Sequence, residues 1–182
     1  MRIIAGSFKG RKIQIPKNNW PTRPTTDRVR ESLFNILAHN YSLEGVQVLD
    51  LFAGTGMNSW EFLSRGASHV TLIEKHRDII KFLHQQSKLL GVEQSTSILC
   101  KDVYRSLAQL DRRFDIIFAD PPYNDDRIED LFVLIKNHQL LSDNGMFILE
   151  HAKIRSFESL DFDCTTRTYG DSQISFCTLL AN

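Results

Sequence analysis

The feature that most restricts the fold of this chain is a regular alternation of short apolar runs with helix-like stretches. Residues 46–52, 70–74, 97–101, 114–120 and 145–150 read as buried strands, most of them closed by Gly, Asp or Pro. The clearest helical stretch runs from about residue 127 to 138, with Ile128, Leu131, Phe132 and Ile135 at helical spacing and with Asp126 and Glu129 placed as a capping box. Strand and helix in strict alternation imply right-handed crossovers and a parallel sheet covered on both faces, a doubly wound, Rossmann-like α/β domain.

Both ends break this rhythm. Residues 165–169 and 175–180 flank Gly170-Asp171-Ser172 too closely for a crossover helix, and they predict an antiparallel hairpin at the edge of a seven-stranded sheet. Near the start, residues 3–6 and 11–16 predict a short β-hairpin, and Thr25 or Thr26 with Asp27 caps a helix bearing Val29, Leu33, Ile36 and Leu37 on one side. The division is an extension over 1–45 packed on a body over 46–182. A length of 182 residues fits effectively one domain.

No stretch reaches the ~18 apolar residues of a membrane span, and the N-terminus runs into Lys9 and Arg11 without a signal-peptide core, so a soluble cytoplasmic protein is expected. Cys100, Cys164 and Cys177 are odd in number and form no C-x-x-C, which predicts reduced core thiols. Formal charge is balanced, yet residues 1–30 hold eight basic side chains against Asp27 alone, a net +7 that leaves −7 on the remainder. Such a basic arm can reach a phosphate backbone, and a solvated basic face gives the same count.

In an open parallel sheet, ligands bind beyond the carboxyl ends of the strands. There the first strand runs into Asp50-Leu51-Phe52-Ala53-Gly54-Thr55-Gly56, with two glycines where backbone must approach a ligand closely. Glu74 ends the second strand twenty residues after Gly54, the spacing at which a carboxylate meets the hydroxyls of a ribose. NAD fits poorly, because G-x-G-x-x-G/A is replaced by Gly54-Thr55-Gly56-Met57-Asn58-Ser59 followed by Trp60. The fourth strand ends in Asp120-Pro121-Pro122-Tyr123. Two prolines hold the backbone extended and remove two N–H donors, so a carboxylate and a carbonyl can accept from an NH2 group beside an aromatic face.

Asp120-Pro121-Pro122-Tyr123 resembles the D/N-P-P-Y/F signature of S-adenosylmethionine-dependent methyltransferases acting on planar-conjugated nitrogens. Over nearly the whole chain, the sequence further resembles the bacterial 16S rRNA guanine-N2 methyltransferases of the RsmD family. The resemblance is carried by Arg2-Ile3-Ile4-Ala5-Gly6, Lys9-Gly10-Arg11-Lys12, the block Thr22-Arg23-Pro24-Thr25-Thr26-Asp27-Arg28-Val29-Arg30-Glu31, the Asp50 to Gly56 turn, Leu63-Ser64-Arg65-Gly66-Ala67, Glu74, Asp120-Pro121-Pro122-Tyr123 and Glu150. After Gly56 the family usually shows Ala-Leu-Gly, where this chain has Met57-Asn58-Ser59-Trp60.

The resemblance implies S-adenosyl-L-methionine as cofactor and, as substrate, the N2 amine of one guanine, numbered 966 in the usual rRNA numbering, in 16S rRNA within a 30S subunit or an assembly intermediate. Asp50, Ala53, Gly54 and Gly56 are then assigned to the methionine end of the cofactor, Glu74 to the ribose and Asp102 to the adenine amine. Asp120 and the Pro121 carbonyl orient the target amine, Pro122 completes the rigid turn, and Tyr123 stacks on the base. Lys9, Arg11, Lys12, Arg23, Arg28 and Arg30 are expected to dock RNA, with Tyr169 and Trp20 as weaker candidates. The six histidines show no ligand spacing, so no metal is expected, and a monomer is the simplest assembly. The competing functions are a DNA adenine-N6 methyltransferase, for which the N-terminal segment is small as a recognition domain, and an inactive RNA-binding module of the same fold.

Overall fold

The computed structural model describes residues 1–15, 27–152, 157 and 161–180, with the side chain of Arg28 left out. The strands are β1 (Gln47–Leu51), β2 (His69–Glu74), β3 (Thr96–Cys100), β4 (Phe114–Ala119), β5 (Leu141–Ala152), β6 (Phe162–Tyr169) and β7 (Ser172–Leu179). The helices are α1 (Asp27–Asn40), α2 (Met57–Ser64), α3 (Arg77–Leu90), α4 (Val103–Leu107) and α5 (Ile128–Asn137). The strands form one sheet in the order β3-β2-β1-β4-β5-β7-β6, parallel from β3 to β5, with β7 inserted antiparallel between β5 and β6. The order reverses between β1 and β4, which creates the crevice where a doubly wound sheet binds ligands.

Side-chain alternation sorts the core into two layers. Val48, Val70, Leu72, Ile116 and Phe118 face α1, α2 and α3. Leu49, Leu51, Ile73, Ile117 and Ala119 face α4 and α5. Helix α3 matches its layer by burying Ile79, Phe82, Leu83, Gln86, Ser87 and Leu90, a stripe at three- and four-residue spacing. Phe132, Phe147 and Phe162 form an edge-on cluster in the other layer, with ring centroids 4.9 to 6.5 Å apart, so these aromatics pack the core.

The same alternation places the acids. Asp50 lies two residues beyond Val48, Glu74 two beyond Leu72 and Asp120 two beyond Phe118, so all three fall on the α2 side of the sheet. Leu51 pairs with Ile73 on one side and with Ala119 on the other. Glu74 and Asp120 therefore stand one step past β1 on flanking strands, two strand spacings or roughly 10 Å apart.

Four local expectations are corrected. Cys164 and Cys177 face each other across β6 and β7 with Cα atoms 4.1 Å apart and form a disulfide, while the free Cys100 is exposed. They are not reduced core thiols; directly opposed positions in an antiparallel pair bring side chains together, which a count of cysteines does not reveal. The N-terminal hairpin shrinks to one bridge, Arg2 with Lys12, because Ile4 N and Ala5 N donate to the buried Glu61 carboxylate (2.7 and 3.0 Å) instead of to a second strand. The Asp126/Glu129 capping box is absent: no side chain caps α5, and Asp125 accepts from Arg127 N at 2.9 Å. Strand β5 begins at Leu141, four residues before Gly145, and an irregularity between Phe114 and Ile116 absorbs the extra length.

The first residues pack firmly on α2. Ser7 N donates to Ser64 O (2.7 Å) and Phe8 N to Ser64 Oγ (2.9 Å). Gly6 has φ +79, and a Cβ there would lie 1.7 Å from Ser64 O, so only glycine permits this approach. The Thr25/Thr26 cap and Trp20 fall outside the described residues.

Candidate active site

A cavity of about 370 Å³ opens at the carboxyl ends of β1, β2, β3 and β4, within the ~300–1,000 Å³ of small-molecule sites. Its wall includes Asp50, Ala53, Gly54, Glu74, Asp102, Asp120, Pro121, Pro122 and Tyr123, so nine of the ten residues expected for cofactor and target base meet in one space. Gly56 lies behind the wall. With φ +70, it leaves room for Trp60, whose ring would be 2.8 Å from a Cβ at Gly56.

The turn after β1 is held from two directions. Ala53 N donates to Ile73 O (3.1 Å) and Gly54 N to Glu74 Oε2 (3.2 Å), tying the turn to the end of β2. Phe52 and Gly54 both have positive φ, at 59° and 52°. For Phe52 that conformation costs roughly 1–3 kcal/mol, an expense that occurs where a site dictates the backbone. Glu74 is only 5% exposed and its Oε1 accepts from Lys75 N and His76 N (2.7 and 2.9 Å). It is no solvated strand-end acid; one lone-pair position on Oε2 remains for a ligand hydroxyl.

Asp50 lies beneath the turn, 2% exposed, and Ser59 Oγ donates to its Oδ2 at 2.5 Å. Burial is the main reason its carboxyl is pushed up to about 7; the Glu74 charge adds to the rise and the Ser59 hydrogen bond opposes it. The residues after Gly56 are thus part of the site. Ser59 serves Asp50, Trp60 Nε1 donates to Thr55 O (3.1 Å), and Met57 and Asn58 line the cavity.

Asp102 caps α4 through Oδ1, which accepts from Arg105 N at 3.1 Å. Beside it, Tyr104 donates to Asp125 Oδ2 (2.9 Å), and the Arg127 guanidinium lies 4.0 Å above the Tyr104 ring. Burial, then Asp125, hold the Tyr104 hydroxyl well above its ordinary range. This cluster joins the β3 end to the loop after Asp120-Pro121-Pro122-Tyr123, and sequence spacing gave no sign of it. In that loop, Asp125 N donates to Pro122 O (2.8 Å), and Tyr123, 54% exposed, shares a hydrogen bond with Ser172 Oγ (2.5 Å) at the start of β7.

The cavity thus gathers three strand-end carboxylates, the glycine turn and the Asp120-Pro121-Pro122-Tyr123 segment in one space. Residues 1–178 match the family model described as Conserved hypothetical protein 95. The Escherichia coli (strain K12) protein named Ribosomal RNA small subunit methyltransferase D is 36% identical over 150 residues, 82% of this chain and 74% of that protein. The chain belongs to the RsmD family. A Haemophilus influenzae relative of the same name is 33% identical over 156 residues, 84% of this chain and 79% of its own. The solved structure of "Putative methyltransferase yhhF" from Escherichia coli superposes with a TM-score of 0.87 at 31% identity, covering 100% of this chain and 99% of that one.

The fold of this RsmD-family chain is thus that of the S-adenosylmethionine-dependent methyltransferases. Of the residues expected to dock RNA, Lys9, Arg11 and Lys12 are exposed, with Arg11 over the Phe8 ring at 5.2 Å. Arg23 and the Arg28 side chain lie outside the described residues. Arg30 is fully buried and borders the cavity, so the expectation of a surface phosphate contact is corrected. Tyr169 OH accepts from Ser32 Oγ (2.8 Å) and joins α1 to β6.

Proposed function

We propose that this chain methylates the exocyclic N2 of a guanine in 16S rRNA, the guanine numbered 966, with S-adenosylmethionine as methyl donor. The observation that carries this reading is the position of Asp120-Pro121-Pro122-Tyr123 at the mouth of a cavity whose inner wall holds Asp50 and Glu74. Relatives at 33% and 36% identity named as small subunit rRNA methyltransferases support the RNA class.

The residues present fit the donor. Glu74 retains acceptor capacity for a ribose hydroxyl, Asp102 stands just past the end of the next strand, at the cap of α4, for the adenine amine, and Asp50 and the 53–56 turn meet the remaining end. When bound, the donor supplies an electrophilic methyl on a sulfonium, so the chain's own task is to prepare the nucleophile. The lone pair of guanine N2 is delocalised into the ring and points poorly at an incoming carbon. Asp120 and the Pro121 carbonyl accept the two N2 hydrogens, fix the amine and let it pyramidalise, an effect of orientation. Once the new N–C bond has formed, the amine passes one proton to the Asp120 carboxylate. Tyr123 stacks on a base that is flipped out or already single-stranded, worth about 1–3 kcal/mol.

The test is to incubate the protein with radiolabelled S-adenosylmethionine and, in parallel, undermethylated 30S subunits, free 16S rRNA or duplex DNA. Label confined to one guanine of 16S rRNA is expected. Label in DNA adenine, or none in any substrate, would reject the reading.

A further inference from the structure

Arg30 is a buried cation whose one ion-pair partner among the described residues, Asp27, is itself half exposed. This α1 side chain is 0% exposed, and its Nη2 donates to Arg2 O (2.7 Å) and to Asp27 Oδ1 (3.0 Å). Its Nε and Nη1 are buried without a hydrogen-bond partner among the described residues, and the side chain of Asp27 is 53% exposed. A buried guanidinium with two idle donors is costly unless something else supplies acceptors. Arg30 borders the same cavity as Glu74 and Asp120, and so does Asn58, 9% exposed, whose Oδ1 is also buried and unpartnered. The two orphans differ in kind: one offers donors and positive charge, the other an acceptor.

Their place in the cavity follows from the chain. Arg30 holds Arg2 O, and the residues just after Arg2 are bound by Glu61, one turn along α2 from Asn58. Arg30 and Asn58 therefore share the α2 flank, while Asp102 and Glu74 mark the ends of β3 and β2. If adenine and ribose occupy those two strand ends, the part of S-adenosylmethionine left for the α2 flank is its amino-acid end. That end is a zwitterion, needing donors for its carboxylate and acceptors for its ammonium. Helix α2, eight residues long, adds the partial positive charge of its N-terminus on the same side.

We propose that Arg30 is a specificity-determining residue for the cofactor: its guanidinium donates to the α-carboxylate, and Asn58 Oδ1 accepts from the α-ammonium. This rests on the cofactor reading above and reassigns Arg30 from the RNA to the methyl donor. It also gives the α1 segment a role in the cofactor site that its basic composition concealed.

The test compares two probes by calorimetry. S-adenosylhomocysteine carries the amino-acid end, and 5′-methylthioadenosine has the same nucleoside thioether without it. Arg30→Met should weaken S-adenosylhomocysteine binding about ten- to a hundredfold, the range for a charged hydrogen bond, and leave methylthioadenosine unchanged. Arg30→Lys should lose less, and it serves the same comparison if Arg30→Met fails to fold. Equal losses for both probes would make Arg30 a packing residue and overturn the proposal. Unchanged affinity for both, with methyl transfer reduced, would place Arg30 on the substrate side and overturn it as well. Failure of the wild-type protein to bind either probe would instead reject the underlying cofactor reading, and the proposal with it.

Discussion

Ser59 Oγ donates to Asp50 Oδ2 at 2.5 Å inside the first turn of α2, tying the acid beneath the glycine turn to that helix. The position is one where dinucleotide-binding turns carry glycine or alanine, and here a hydroxyl replaces it.

The raised Asp50 carboxyl predicts a pH dependence of stability. Unfolded, Asp50 releases its proton near its ordinary value of 3.8, and folded it releases it near 7. Between those limits the folded state binds the extra proton, so stability from this group falls as pH rises through the window. Denaturant unfolding at pH 5.5 and 7.5 should show about 2 kcal/mol of decline in the wild type that is absent in Asp50→Asn. Equal pH slopes in the two proteins would contradict the buried-acid reading.

Glu74 joins two loops and lines the cavity, so its substitution should have two effects. Glu74→Gln replaces one carboxylate oxygen by an amide and should weaken S-adenosylmethionine binding by about 1.5–3 kcal/mol in equilibrium dialysis. Glu74→Ala should also lower the melting temperature, because Gly54 N, Lys75 N and His76 N all lose their acceptor. Unaltered cofactor affinity in Glu74→Gln would place the ribose elsewhere.

The approach of Gly6 to Ser64 gives a test of how the N-terminal segment is seated. Gly6→Ala meets Ser64 O as well as an unfavourable φ and should destabilise by roughly 1–3 kcal/mol. Gly10→Ala, with φ +83 and open space around it, should cost about 1 kcal/mol from backbone strain alone. Equal melting temperatures for the two variants would show that the contact with α2 is dispensable.

Lys9, Arg11 and Lys12 are exposed cations of the arm, as is Arg2. Changing the first three to glutamine should make the salt dependence of 30S binding shallower by about 0.7–0.9 in log–log slope per lost phosphate contact. Affinity for S-adenosylmethionine should stay unchanged. An unaltered slope would assign these charges to solvation only.

The sheet and the site's acids were legible because they follow from alternation. Once residues 46–52, 70–74 and 114–120 read as strands, Asp50, Glu74 and Asp120 fall toward their carboxyl ends, and the sheet register then puts them on one face. Charge is a poorer guide, since counting arginines cannot separate an exposed Lys12 from a buried Arg30. The cap of α5 was misread for a related reason. Asp125 and Asp126 are equal candidates in sequence, but the turn closed by Pro122 O and the bond from Tyr104 fix Asp125 in place. The disulfide and the Tyr104–Asp125–Arg127 cluster arise from register and from contacts between distant segments, which local pattern does not encode.

The most direct test of the account is to identify the modified nucleoside. Undermethylated 30S subunits treated with the protein and S-adenosylmethionine should yield N2-methylguanosine on nuclease digestion and mass spectrometry. Asp120→Ala should bind the cofactor normally and yield none, while Asp120→Asn, whose amide oxygen can still accept one amine hydrogen, should yield a reduced amount. A different methylated nucleoside from the wild type, or undiminished N2-methylguanosine from Asp120→Ala, would contradict it.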